Sequence, residues 1–179
     1  RAEWIARAQQ GDPAAREGLL DLLQREESPY WRAALLGMLG PWAAQPEITT
    51  VLLRNLDHTN SLVRGAAAHA LEAALPTTGV SEALRRRLGD PARSVRVAVA
   101  WTLRASLDPA SQAGRELRHF LDSNADQPGG QMRKGDYYFA RNELETALRH
   151  FQKAVAWDPY SPPFHQQLAV MLSALNRPR

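Results

Sequence analysis

Five histidines are the first residues to weigh for chemistry: His58, His69, His119, His150 and His165. A helical metal site needs a second ligand one turn on, and none of the five has one at i+4. The chain has no cysteine, which removes disulfides, zinc–thiolate sites and thiol nucleophiles. No G-x-S-x-G stretch occurs, and no Gly-rich loop follows a strand-like run. The paired acids Glu26-Glu27 and Asp122…Asp126 fall where helices are expected to end, so solvation or capping accounts for them. The sequence therefore names no catalytic residue, no metal ligand and no cofactor, and a non-enzyme is expected.

The residue type that does recur is arginine. Arg32, Arg64 and Arg96 stand at one fixed spacing in "SPYWRAALLGMLG", "SLVRGAAAHAL" and "ARSVRVAVAWTLRA". The columns around them agree. The preceding residue is Trp31, Val63 or Val95; two places on come Ala34, Ala66 and Ala98; seven places on come Leu39, Leu71 and Leu103. Three ungapped copies make a repeat array the expectation. A permanent charge at one fixed place has a natural partner in the turn before its helix. Glu26 and Asp90 lie six residues ahead of their arginines, and Asp57 seven ahead of Arg64. Each arginine is expected to reach such an acid, its own or its neighbour's, as a ladder along the stack.

The apolar columns flank each arginine at helical spacing, on one face. Ser28-Pro29, Asn60-Ser61 and Asp90-Pro91 supply start signals. A further helix precedes each copy, at about 13–24, 46–56 and 80–88. The small residues then have a purpose, because stacked helix pairs bring backbones close. Ala66 and Ala98 are expected to be buried, and Trp31 to be core in the valine column. Trp4, Trp42 and Trp157 read as packing residues. An acid, then Val-Arg, then spaced alanines and a leucine resembles HEAT repeats, over about residues 12–107.

After Asp108-Pro109 the rhythm changes. A helix at about 110–124 leads through "ADQPGGQ" to a stretch in which Gly135, Tyr138, Ala147, Phe151, Ala154 and Pro159 recur at new offsets. Those offsets resemble a tetratricopeptide (TPR) unit starting at Pro128. Gln131 and Lys134 depart from the pattern, which implies a less well covered start of the first helix. Gly135 permits close approach of the paired helix, with Ala147 and Ala154 buried. Asn142 with Glu145 reads as a capping box, and 162–176 forms a terminal helix. The expected fold is all-α, a right-handed α-solenoid of antiparallel pairs: HEAT-like repeats over 1–108, then a TPR-like repeat with its terminal helix over 109–179.

The expected function is a protein-interaction or scaffold module, since stacked repeats present an extended surface to a protein or peptide segment. In the HEAT-like part the positions one and five after each arginine face the concave side: Ala33 and Gly37, Gly65 and His69, Val97 and Trp101. Trp101 has two readings, a groove anchor or core at the change of repeat type. In TPRs the first helix lines the groove, which places Met132, Asp136 and Phe139 there, with Gln166 and Val170 in the last helix. The Lys and Asn with which some TPRs hold a free carboxyl end are absent, so a mildly apolar groove is expected.

A nucleic-acid-binding HEAT-like domain, of the kind some DNA glycosylases use, is the alternative. The formal charge of +3 and the lack of a basic face argue against it. Of the 22 basic residues all but Lys134 and Lys153 are arginine, which reads as coding composition. Arg85-Arg86-Arg87 is the sole basic run, with a solvated helix face and an anionic contact as its two readings. No apolar run is long enough to span a membrane. The chain opens on Arg1 rather than methionine, which reads as an excised or processed piece and leaves the missing signal peptide uninformative.

The order of HEAT-like repeats running into "GDYYFARNELETALRHFQKAVAWDP" also resembles the C-terminal region of bacterial secreted multihaem cytochrome c proteins. That resemblance implies a periplasmic parent engaged in electron transfer, with a haem domain of the same chain as partner; without it a cytoplasmic setting is expected. No Cys-x-x-Cys-His is present, so this stretch binds no haem covalently.

Overall fold

A computed structural model gives the fold; it describes residues 1–175, and the end of the expected terminal helix at 176 lies outside them. The described residues form eleven α-helices, with short 3-10 turns and no strand: α1 (Ala2–Gln9), α2 (Ala15–Arg25), α3 (Pro29–Leu39), α4 (Pro46–Asn55), α5 (Ser61–Ala70), α6 (Val80–Arg86), α7 (Arg93–Thr102), α8 (Gln112–Ser123), α9 (Pro128–Ala140), α10 (Leu144–Trp157) and α11 (Pro162–Leu175). The chain divides into two compact units, Arg1–Leu103 and Arg104–Arg179. It is an all-α helical repeat protein.

In the first unit the arginine-bearing helices α3, α5 and α7 pack side by side, α3 on α5 and α5 on α7, with α2 against α3 and α4 against α5. The spacing of apolar residues decides which face is hidden. Leu35, Leu36 and Leu39 of α3, Val63, Ala67 and Ala68 of α5, and Val95, Ala98 and Val99 of α7 join one core with Leu19, Ile48, Leu52 and Leu84 of the flanking helices. The close α5–α7 approach is pinned by Thr102, whose hydroxyl donates to the Ala68 carbonyl at 3.0 Å. Small residues make room for this, as expected, though Ala66 itself is only half-buried. It lies one place off the fully buried Ala67–Ala68 pair, and the register of α5 favours those two.

The Trp31 expectation fails. Val63 and Val95 are fully buried in that column, but Trp31 is 37% exposed. It lies edge-on to Tyr30 at 5.6 Å, with the Arg1 guanidinium over its ring at 5.0 Å. An indole exceeds the space a valine fills, so it stays at the surface. Trp4 and Trp42 do pack against the core. Trp4 lies where a side chain on Gly18 would otherwise stand. The start signals also differ in kind. Asn60 caps α5 by accepting from the Leu62 N–H, whereas Ser28 makes no side-chain cap and α7 begins two residues after Pro91.

In the second unit α8 packs on α9, α9 on α10, and α10 on α11. Arg141 donates to the carbonyls of Arg104 and Leu107, both at 3.1 Å, which ties that stretch to this unit. The α9–α10 pair closes on Gly135. A Cβ there would land inside the Phe151 ring, so only glycine lets Phe151 sit flat against α9. Met132, Ala147, Phe151, Ala154 and Met171 form the core. Ala154 is fully buried, so Ala154→Trp should overpack it and cost about 1–3 kcal/mol, read as a lowered unfolding midpoint in denaturant.

Two local expectations fail here. Asn142 is not a cap: α10 starts at Leu144 after Glu143, with no side-chain cap bond, and Asn142 takes a left-handed φ of 60°. Asparagine tolerates that conformation, and it turns the chain out of α9. The start of α9 is also well covered. Gln131 is 2% exposed, donating to the Ala125 carbonyl at 2.5 Å and meeting His150 Nδ1 at 2.7 Å. A polar side chain replaces the expected aromatic because a backbone carbonyl and a histidine await it. Trp157, expected to pack, instead lies 45% exposed at the end of α10, with Lys153 over its ring at 4.5 Å.

Candidate functional site

The repeat arginines behave as one device. Each donates from Nη1 to the carbonyl six residues earlier: Arg32 to Glu26 at 2.8 Å, Arg64 to His58 at 2.9 Å and Arg96 to Asp90 at 2.7 Å. Each thus ties down the turn before its own helix. The forward contact is uneven. Arg64 makes a two-pronged pair with Asp90 of the next repeat, Nε to Oδ2 and Nη2 to Oδ1, both at 2.8 Å. Arg32 finds Asn55 Oδ1 at 3.2 Å instead of an acid. Asp57, the expected turn acid of the second repeat, is held by Arg87. Glu26, the acid of the first repeat, is held by Arg1 at 2.5 Å. Burial pushes the Asp90 pKa up. The Arg64 hydrogen bonds and the Ala92 N–H, with the charges of Arg64 and Arg87, outweigh it and hold the carboxyl below its ordinary value. These arginines are structural: their side chains point into turns, not into a cavity that a substrate could enter.

The surface of the arginine helices that remains open is more suggestive. Positions two before, one after and five after each arginine share a face, because steps of three and four residues stack on a helix. They are Tyr30, Ala33 and Gly37 on α3; Leu62, Gly65 and His69 on α5; Ser94, Val97 and Trp101 on α7. Tyr30 is 68% exposed and Leu62 51%. Gly37 and His69 are exposed; Gly65, Val97 and Trp101 are half-buried, and Ala33 is buried. Trp31 adjoins Tyr30. At these positions Tyr30 and Leu62 are the exposed large apolar side chains, on the adjacent helices α3 and α5, while Val97 and Trp101 on α7 are half-buried. Sequence reasoning missed Tyr30 and Leu62, although the position two before each arginine was there to be read.

The expected TPR groove is thinner. Met132 is buried in the core beside Phe151 and Met171, so it cannot line a groove. The rotation of α9 that lays Gly135 on Phe151 also turns Met132 inward. Asp136 is half-buried, Phe139 and Val170 are partly exposed, and Gln166 is exposed. Between α9 and α10, Tyr138 stacks on His150 with parallel rings 5.4 Å apart. Burial, with Lys134, Lys153 and Arg149 nearby, pushes the His150 pKa down. This neutral imidazole serves Gln131 and the packing of the pair.

Among the described residues no group of three or more His, Asp or Glu is placed to hold a metal ion, and no helix is long and apolar enough to cross a membrane.

These features define a class, the all-α helical repeat proteins. Residues 16–104 match the family described as HEAT repeats, and this part of the chain consists of HEAT-like repeats. No curated protein and no solved structure matches the chain.

Proposed function

We propose that the chain is a non-catalytic protein-interaction module. Its first unit takes an extended, apolar and aromatic segment of a partner protein across α3, α5 and α7. The observation that carries this reading is the exposure of Tyr30 and Leu62 on adjacent helices whose apolar columns are core. Large apolar side chains left in water on neighbouring helices are a recurrent mark of a docking surface, and rigid aromatics are its usual anchors. HEAT repeats generally serve as interaction or scaffold modules. In this reading Trp101 is an anchor together with Tyr30, and His69 a polar contact between them.

The second unit is, in this reading, a TPR-type pair with a terminal helix. The six residues at TPR offsets support it, as does the Gly135–Phe151 closure. Asp136, Phe139, Gln166 and Val170 are its secondary contact positions. The parent chain is proposed to be a periplasmic multihaem electron-transfer protein in which this stretch is the repeat region. That proposal rests on the order of the repeats, and the parent's full reading frame tests it through Cys-x-x-Cys-His motifs and a signal peptide.

Panning a peptide display library on the purified protein tests the docking face. Peptides with apolar or aromatic residues should be enriched. Their binding should fall about tenfold or more with Leu62→Asp and with Trp101→Ala, while both variants unfold near the parent. Enriched peptides that bind both variants as well as the parent would sink the assignment. So would duplex DNA binding with a steep salt dependence, the mark of a phosphate-reading surface.

A further inference from the structure

A second surface lies on helices that the docking face does not use. A cleft of about 680 Å³ opens between α4 and α6, lined by Leu53, Arg54, Leu56, Asp57, Thr78, Gly79, Ala83, Arg86 and Arg87. Its floor is aliphatic, from Leu53, Leu56 and Ala83. Its rim holds three guanidinium groups and one carboxylate. Arg87, in the 3-10 turn after α6, crosses to Asp57 and also lies 4.0 Å from Asp90, so these charges are already spoken for. Arg54 is exposed and enters no ion pair among the described residues. Among the described residues Arg86 meets only Glu82, at 3.4 Å, with both side chains about three-quarters in water, and such a contact contributes little. The cleft therefore offers an apolar floor beneath two under-committed arginines.

We propose that this cleft docks a short acidic segment of a partner protein, with an aliphatic side chain on the Leu53–Leu56–Ala83 floor and carboxylates on Arg54 and Arg86. Charge complementarity selects the occupant. A basic segment would meet the two uncommitted guanidiniums, and a purely apolar one would leave the rim without partners. The aliphatic floor favours a leucine-bearing peptide over nucleic acid, because no aromatic ring lines the cleft for a base to stack on. Guanidinium–carboxylate bonds are charge-assisted and directional, which fixes the register of an otherwise flexible peptide. The arginine run at 85–87 thereby acquires a role beyond a solvated face. This proposal stands apart from the docking face on α3, α5 and α7, since the two share no residue.

The test uses the whole chain and a fluorescein-labelled peptide with a leucine pair flanked by glutamates, read by anisotropy. Saturable binding is expected. It should weaken about tenfold or more with Arg54→Glu and with Arg86→Glu. It should also weaken when the peptide's glutamates become glutamines, and fall with added salt. Tyr30→Asp with Leu62→Asp should leave it unchanged. Both arginines are exposed, so the variants should fold; Arg54→Gln with Arg86→Gln repeats the test without charge reversal. No saturable binding would overturn the proposal. So would equal binding of the glutamine peptide, indifference to the arginine variants, or a short oligonucleotide binding as tightly as the peptide.

Discussion

Arg64→Met should destabilise the first unit by about 3–5 kcal/mol, the range for removing one partner of a buried ion pair. The Asp90 side chain is 1% exposed and that of Arg64 11%. Once the guanidinium is gone, a carboxylate remains in the core with the Ala92 N–H as its nearest donor, at 2.9 Å. The carbonyls of His58 and Thr59 lose their donor as well. Methionine keeps the apolar stem, so the loss reports the charge and its hydrogen bonds. Asp90→Leu added to Arg64→Met should recover part of it, because a buried pair replaced by apolar residues is often neutral. The pH dependence has a definite sign. The folded pKa of Asp90 lies below its unfolded value, so the pair's contribution is full above about pH 4 and is lost as pH falls through the folded value. In Arg64→Met burial acts on Asp90 with far less opposition and raises its pKa. The gap between parent and variant should then narrow on acidification. A variant that unfolds with the parent in urea at neutral pH would remove the repeat-to-repeat pair from the account.

Phe151→Ala should cost about 3–5 kcal/mol in the second unit, the range for deleting a buried phenyl ring. Phe151 is 2% exposed and is the largest fully buried side chain described. It touches the core from α10 and fills the space that Gly135 leaves open on α9. The cavity sits against a glycine backbone that has no side chain to collapse into it, which favours the upper part of the range. The complementary change, Gly135→Ala, drives a methyl into the same ring from the other side and should also destabilise. Their combination should cost less than the sum, because the methyl then occupies part of the cavity. Strict additivity would mean that the two residues do not share that space.

The sequence made the repeat part readable because its signals are periodic. Val63, Val95, Leu39 and Leu71 sit in columns, and all are buried. The arginine column reported a real device, a tie to the carbonyl six residues back. Its forward half was less visible, since Asn55 and Arg87 stand off the repeat and enter only through three-dimensional proximity. Trp31 and Met132 failed for related reasons. A column fixes the face of a helix but neither the size of the site nor the rotation that neighbours impose, so Trp31 is pushed out and Met132 turned in. Gln131 and Asn142 show that a polar residue at an unexpected place signals a waiting hydrogen bond or a left-handed turn, neither of which periodicity records. Of the proposed surface, His69, Val97 and Trp101 follow from the arginine register, while Tyr30 and Leu62 stand out only through the exposure of their side chains.

Carbene footprinting of the protein with and without a peptide selected on it tests the central claim most directly. Labelling reports which side chains a ligand covers, whatever the ligand's identity. Masking of Tyr30, Leu62, Val97 and Trp101 is expected, with residues on α4 and α6 labelled as before. Masking confined to other helices, with Tyr30 and Leu62 still fully labelled, would contradict it.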